Sequence, residues 1–377
     1  MKLKTRCFII GIVCLLFLFI SVSGDQKAGW KGKIEQEEGV KVVKNPEEPL
    51  YGEIEFELEL DLSIGEEEFD ENYDFMRISD VEVDEDGNIY VFDPRQYRIQ
   101  KYDKDGKYLQ TIGRQGEGPG EFQMASRMTL SAGGKLYVDD SRKILIFNPD
   151  HTHERSINLD FFIRSYLVTK EENFLGWAMI RTEEGSSFDV VLIDSNGKKI
   201  DTIASFPDPT VVLKKSSSGG GGIVVGATPP YSPRLSFYPV SEELAVYGYS
   251  DEYRLWMVNS KGEVVFIIEK EEKRIPTSRK EENDYLKKRI DSMNKRGGVQ
   301  WAMGDLRKLY KFAKYKPFFS NIRLDDKGHI YLQKSKSVMK PEEDTSFDLF
   351  SKEGYYLYKI KIHKINPRVI KNGCVYT

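Results

Sequence analysis

Alternation of apolar and polar positions dominates the chain. "VEVDEDGNIYVFD", from Val81 to Asp93, alternates, turns through Asp-Gly and alternates again. "MTLSAGGKLYVDD" (Met128 to Asp140) and "IRLDDKGHIYLQ" (Ile322 to Gln333) repeat the plan. Period 2 gives a strand one inward face, and a turn that ends in glycine predicts a hairpin. A second hairpin follows at Tyr97–Ile112, Lys143–Leu159, Phe188–Ala204, Tyr253–Glu269 and Phe347–Ile362. The predicted unit is therefore four antiparallel strands.

Gly87 and Gly134 lie about 47 residues apart, the period of a propeller blade. Units start near Ile78, Ser126, Ser165, Arg234 and Asn321. A sixth opens at "NPRVIKNGCVYT", where Gly373 aligns with Gly87, and two more strands are expected after Thr377. An early strand at 52–64, "GEIEFELELDLSI", has no partner of its own. Pairing it into the last blade would remove an open sheet edge. The expectation is an all-β fold: a six-bladed β-propeller over 51–377, with four-stranded antiparallel blades and the last blade shared by the two ends.

Three stretches depart from this pattern. Residues 276–316 read as a two-helix insertion before blade five. "SRKE" at Ser278–Glu281 is a capping box, and Tyr285, Leu286, Ile290 and Met293 fall at helical spacing. The second helix is expected in "WAMGDLRKLYKFAKY", with its apolar side on the blades and its lysines in water. "KKSSSGGGG" at 214–222 reads as a flexible loop, and the Lys/Glu-rich stretch 25–50 as a flexible leader.

Before that leader, basic "MKLKTR" precedes the apolar run "CFIIGIVCLLFLFISVSG". The pattern is that of a secretory signal peptide over 1–24, cleaved near Gly24, which places the mature chain outside the cytoplasm: periplasmic, cell-surface or secreted. Cys14 follows "GIV", a poor context for a lipid anchor. After cleavage only Cys374 remains, so no intrachain disulfide forms, and no transmembrane span is expected. The composition, 60 acidic against 56 basic residues in 377 and a net charge of -4, argues against nucleic-acid binding. Tyr and Phe number 21 each, an aromatic load that suits strands.

At "DGNIYVFD…RIQKYDKDGKYLQTIGRQGEGPGEF" the chain resembles the NHL repeat, in which a DGNIYV-D hairpin precedes RIQ-FD-DGK and G--G-GPG-F. The match is close in the first blade and partial in the second. The whole also resembles secreted six-bladed β-propeller proteins of gut-type bacteria. These share the helical insertion followed by "YKP-F" and "D-GHIY", here Tyr315–Phe318 and Asp326–Tyr331. The resemblance implies a fold more than a reaction.

The glycine run "GRQGEGPGEF" lacks the Lys-Ser/Thr of a phosphate loop and opens no helix, so it reads as a blade connector. "DEDG", "DKDG", "DSNG" and "DDKG" sit in hairpin turns, where turn chemistry explains Asp and Gly without calcium. No His pairs with a nucleophile, no catalytic residue stands out, and no cofactor is expected. The informative positions are those seven before the hairpin glycine, where inner strands start and open onto the central channel. They are Asp80, Arg127, the Arg164–Ser165 region, Asn321 and Asn366, with Arg234 nearby after one gap. A charged residue there predicts a polar ring for an anionic or carbohydrate ligand, against the alternative of a solvated mouth with Asp80 paired to Arg127. The expected function is a non-catalytic, monomeric module that binds a ligand or a protein partner. The alternative is a lactonase- or sugar-lyase-like metal-dependent hydrolase or lyase at the same channel.

Overall fold

The computed structural model describes residues 5–9, 29–65, 70–183, 185–216, 222–295, 301–340, 343–363 and 365–377. Six sheets stand around a channel. Blade one comprises Asp80–Val83, Ile89–Asp93, Arg98–Tyr102 and Tyr108–Ile112, from the channel outwards. Blade two starts at Ala125–Leu130, blade three at Phe162–Val168, blade four at Leu235–Pro239 and blade five at Phe319–Leu324. Blade six starts at Val369–Lys371, which lies against the inner strands of both blade five and blade one. The ring is thereby closed.

The hairpins form where turn chemistry is local. Asp84 Oδ1 accepts the N–H groups of Asp86 and Asn88, and Gly87 takes φ +84°. Asp325 repeats this with Lys327 and His329, and Gly328 takes φ +81°. Left-handed backbone at these points is cheap only for glycine. At the other end of the second strand a different aspartate recurs. Asp93 accepts the N–H groups of Met76 and Arg77, and Asp140 those of Gln123 and Met124. Each ties the incoming connector to its blade.

The glycine run 113–122 is such a connector. Phe122 is fully buried between Phe92 and Phe147, with edge-to-face ring contacts to both. Gly113 has φ +79°, and a Cβ there would lie 2.3 Å from the Phe122 ring. Arg114 and Glu121 close the loop with an ion pair of 2.6 Å.

Residues 29–50, the described part of the expected flexible leader over 25–50, differ from it. Lys33–Glu37 and Val40–Asn45 form a hairpin, and Val40–Asn45 adds in parallel to Val264–Lys270, making blade four six-stranded. Val42 and Val43 are fully buried, and Asn45 is 1% exposed. Its amide donates to the Glu269 and Gly354 carbonyls, and its oxygen accepts from the Tyr356 N–H and the Trp30 indole. Asn45→Ala leaves these groups unpaired. The expected result is a loss of about 1–2 kcal/mol in urea unfolding, with earlier proteolysis within 29–50.

The expected single strand at 52–64 is two. Glu53–Phe56 pairs in parallel with Tyr356–Ile362 of blade five, and only Glu59–Ile64 joins blade six. Blade six runs Val369–Lys371, Cys374–Tyr376, Thr5–Ile9, Glu59–Ile64. Thr5–Ile9 belongs to the segment read as a signal peptide, so cleavage at Gly24 would leave that slot open.

The insertion before blade five contains α1 (Arg279–Asn294) and α2 (Met303–Leu309). Ser278 caps α1 by accepting the Glu281 N–H. α2 stops at Leu309, short of the helix expected to reach Tyr315, and the following Thr277–Lys314 and Lys316–Ile275 backbone bonds hold an extended return. The 214–222 stretch differs too. Val211–Ser216 and Gly222–Ala227 pair as a hairpin, with 217–221 outside the described residues. The glycine pair at 297–298, which in sequence is a stop signal for the first helix, also lies outside the described residues.

Candidate functional site

The turns fix the phase of each inner strand. The backbone bonds Asp84–Asn88, Ser131–Lys135, Thr169–Asn173, Val240–Leu244 and Asp325–His329 are equivalent. Counting four residues back gives the first layer of the channel: Asp80, Arg127, Ser165, Ser236 and Asn321, with Asn366 from the Gly373 turn. Arg164 and Arg234 therefore do not hold ring positions. A register shift between Ile163 and Ser165 displaces Arg164, and Arg234 precedes its strand, where its N–H donates to Ser250 Oγ. Both side chains are exposed at the strand-start mouth, as is that of Arg127.

Of the six expected residues, the structure brings Asp80, Arg127 and Arg164 into one electrostatic neighbourhood. Asp80 Oδ2 accepts the Met128 N–H at 3.1 Å and Oδ1 the Val81 N–H at 3.2 Å. Burial raises the Asp80 pKa, against those bonds and the Arg127 and Arg368 charges. The link from Asp80 to blade two is therefore a backbone hydrogen bond, with Arg127 acting through space. Asp139, opposite Arg127 on the second strand, is 4% exposed and accepts the Tyr166 hydroxyl at 2.6 Å. Burial pushes Asp139 up to about 7, although Tyr166, Arg127 and Arg164 oppose it. Asn321 and Asn366 meet separately: Gln333, paired with Asn321, donates to Asn366 Oδ1 at 3.1 Å.

Two residues further along the same face lies a layer the sequence reading missed: Glu82, Thr129, Leu167, Tyr238, Arg323 and Arg368. Period 2 alone could have found it, since Glu82, Arg323 and Arg368 are charges inside apolar strands. Burial and the neighbouring Asp80 push Glu82 up to about 8, against Lys371, Arg127 and Arg323. Tyr238 is pushed up to about 12 by burial and Glu82. Arg323 is lowered by burial. Its guanidinium donates to the Ile322 carbonyl at 3.0 Å and the Pro367 carbonyl at 3.3 Å. Arg368 donates to the Ser79 carbonyl at 2.5 Å, which stitches blade six to blade one. The two layers thus hold two carboxyl groups, Asp80 and Glu82, and three guanidiniums, Arg127, Arg323 and Arg368.

The aspartates of the "DxxG" turns are engaged by turn N–H groups. Among the described residues, no group of three or more His, Cys, Asp or Glu is arranged to hold a metal ion. Asn321 Oδ1 accepts its neighbour's N–H, and Asn366 Oδ1 the Gln333 amide, so these oxygens face protein donors. His151 bonds Tyr90 and Gln110, and His329 bonds Asp325.

Beyond the second layer the channel widens at the turn end into a cavity of about 600 Å³, to which all six blades contribute.

Residues 66–242 match the DUF5128 family model, described as a 6-bladed beta-propeller. The chain is a six-bladed β-propeller.

Among solved structures, the propeller is similar to an exported protein of Bacteroides fragilis NCTC 9343, with 16% identity over 78% of this chain and 73% of that one and a TM-score of 0.46. It is also similar to a DUF4221 family member from Bacteroides vulgatus, with 10% identity, 78% and 84% coverage and a TM-score of 0.47. Regucalcin of Agrobacterium tumefaciens, a calcium-binding protein, gives 8% identity, 78% and 76% coverage and a TM-score of 0.34. No curated protein matches the chain in sequence.

Proposed function

We propose that the propeller is a non-catalytic, extracytoplasmic module that binds a small ligand in its central channel. The observation that carries this is the pair of charged layers. Here Asp80, Glu82 and Arg323 are kept inside at an electrostatic cost visible in the raised Asp80 and Glu82 and the lowered Arg323. Perturbed groups converging on a concavity mark binding sites. The exposed Arg127, Arg164 and Arg234 make the strand-start mouth the side that attracts anions. The placement outside the cytoplasm rests on the signal pattern of residues 1–24, and mass measurement of the exported chain tests it.

The binding reading is favoured over a metal-dependent hydrolase because the Asp80, Asn321 and Asn366 oxygens already accept protein N–H groups. A thermal-shift screen with divalent cations, glycans and phosphorylated compounds distinguishes the two. Anions or glycans should raise the melting temperature in proportion to occupancy, and calcium and zinc should not. For an anionic ligand found in this way, Arg127→Ala with Arg164→Ala should weaken binding at least tenfold, about 1.4 kcal/mol. Unchanged affinity would remove these arginines from the site.

A further inference from the structure

The two mouths of the channel differ in chemistry, and the reading above leaves the turn-end cavity unassigned. Its floor is formed by Glu82 and Tyr238, with Tyr166 beside them. Among the described residues, neither the Glu82 carboxyl nor the Tyr238 hydroxyl has a hydrogen-bond partner. Carboxylates crowd the rim, but most are answered locally. Asp84 and Asp325 use both oxygens on their own turns, with Asn88 and Tyr90 on one and His329 and Tyr331 on the other. Glu85 pairs with Lys371 at 2.7 Å, and Asp326 accepts the Asn372 N–H at 2.9 Å.

This arrangement discriminates by charge. An anion entering here meets a rim of carboxylates. A cation reaching the floor meets Glu82, which is uncharged near neutral pH because it is enclosed and sits beside Asp80. The Arg127 and Arg323 charges act on the same floor. What the floor offers is an acid O–H, a phenol O–H and their acceptor oxygens. Both side chains are partly buried and open onto the cavity, so a ligand seated there can exchange hydrogen bonds with them in place of water. A volume of about 600 Å³ is in the range of small-molecule sites.

We propose that the turn-end cavity binds a neutral polyhydroxylated molecule, a mono- or disaccharide, through hydrogen bonds to Glu82 and Tyr238. This rests on the channel-binding reading and names the ligand class for one of its two mouths. The groups that face Glu82 are Asp80 on its own strand, Arg127 from blade two, Tyr238 from blade four, Arg323 from blade five and Lys371 from blade six. Ionisation of Glu82 removes its donor, so affinity falls as the pH rises through about 8.

Titration calorimetry with the whole propeller uses glucose, maltose, cellobiose and lactose as neutral probes, glucuronate as the anion and glucosamine as the cation. At pH 7 at least one neutral sugar should bind more tightly than both charged ones. Its affinity should fall about tenfold by pH 9.5. Glu82→Gln, which keeps a donor at all pH values, should abolish that fall, and Tyr238→Phe should weaken binding about fivefold. Circular dichroism of each variant checks that it is folded. Preference for glucuronate or glucosamine, absence of neutral-sugar binding, or an affinity indifferent to pH overturns the proposal. Anion binding that depends on Arg127 would overturn it while leaving the channel-binding reading intact.

Discussion

Asp348→Ala should destabilise the propeller by about 3–5 kcal/mol, the cost of leaving buried charges without their partner. Asp348 lies on the third strand of blade five, Thr345–Phe350, and is 1% exposed. The Tyr253 hydroxyl donates to it, as does that of Tyr356 at 2.7 Å. The ammonium groups of Lys270 and Lys334 stand 3.4 and 3.6 Å away. Burial alone would raise the Asp348 pKa, but the two lysine charges and the two phenols overcome it and hold it below its usual value. Lys270 comes from the fourth strand of blade four counted from the channel, so the cluster fastens neighbouring blades. Glu272 accepts from both lysines, at 2.7 and 2.6 Å, and still answers one of their two charges after the substitution. Urea unfolding measures the loss. Adding Lys270→Met to Asp348→Ala should restore part of it, because an uncompensated buried cation is then removed. A loss below about 1 kcal/mol would mean that Glu272 alone satisfies the pair. The sign with pH is also fixed. A depressed carboxylate contributes stability above its ordinary value, and that contribution is lost as the pH falls through the folded-state value.

Glu82→Gln should change stability in the opposite sense. The folded state holds Glu82 at about 8 and the unfolded chain near 4.5. Between those values the folded protein binds the extra proton, so stability from this group is complete below the lower value and declines as the pH rises through the higher one. Asp139, at about 7, adds to the same decline. Glutamine keeps the shape and cannot ionise. The variant should therefore match or fall slightly below the wild type at pH 5 and exceed it by up to about 4 kcal/mol at pH 9. Melting temperatures across pH 5 to 9 read this out. Parallel curves for the two proteins would show that Glu82 ionises in the folded state as freely as in water.

The hairpins were legible because their causes lie within a few residues. Asp84 and Gly87, or Asp325 and Gly328, form a turn by bonding their own neighbours, and the alternation on either side sets which face turns inward. The same logic put Asp80, Arg127, Asn321 and Asn366 on the channel. Within the Arg164–Ser165 region it is Ser165 that falls in the layer, and near Arg234 it is Ser236, because a register shift in one strand and an early start in another move the phase by one or two residues. Glu82, Arg323 and Arg368 obey the alternation, yet nothing local says that charges from blades one, five and six converge. The leader hairpin shows the same limit more sharply. "KIEQEEGVKVVKN" looks solvated by composition, but Val42, Val43 and Asn45 are buried by a strand some 220 residues away.

The sequence by itself determined the repeating four-stranded unit, its turns and the count of six, since each depends on period and turn chemistry. Only the tertiary structure decided which ends join which blade, that Lys270 meets Asp348, and that the Arg323 charge acts on Glu82. Those depend on ring closure, which brings distant side chains into one enclosed space where burial, rather than neighbours in the chain, sets their charge.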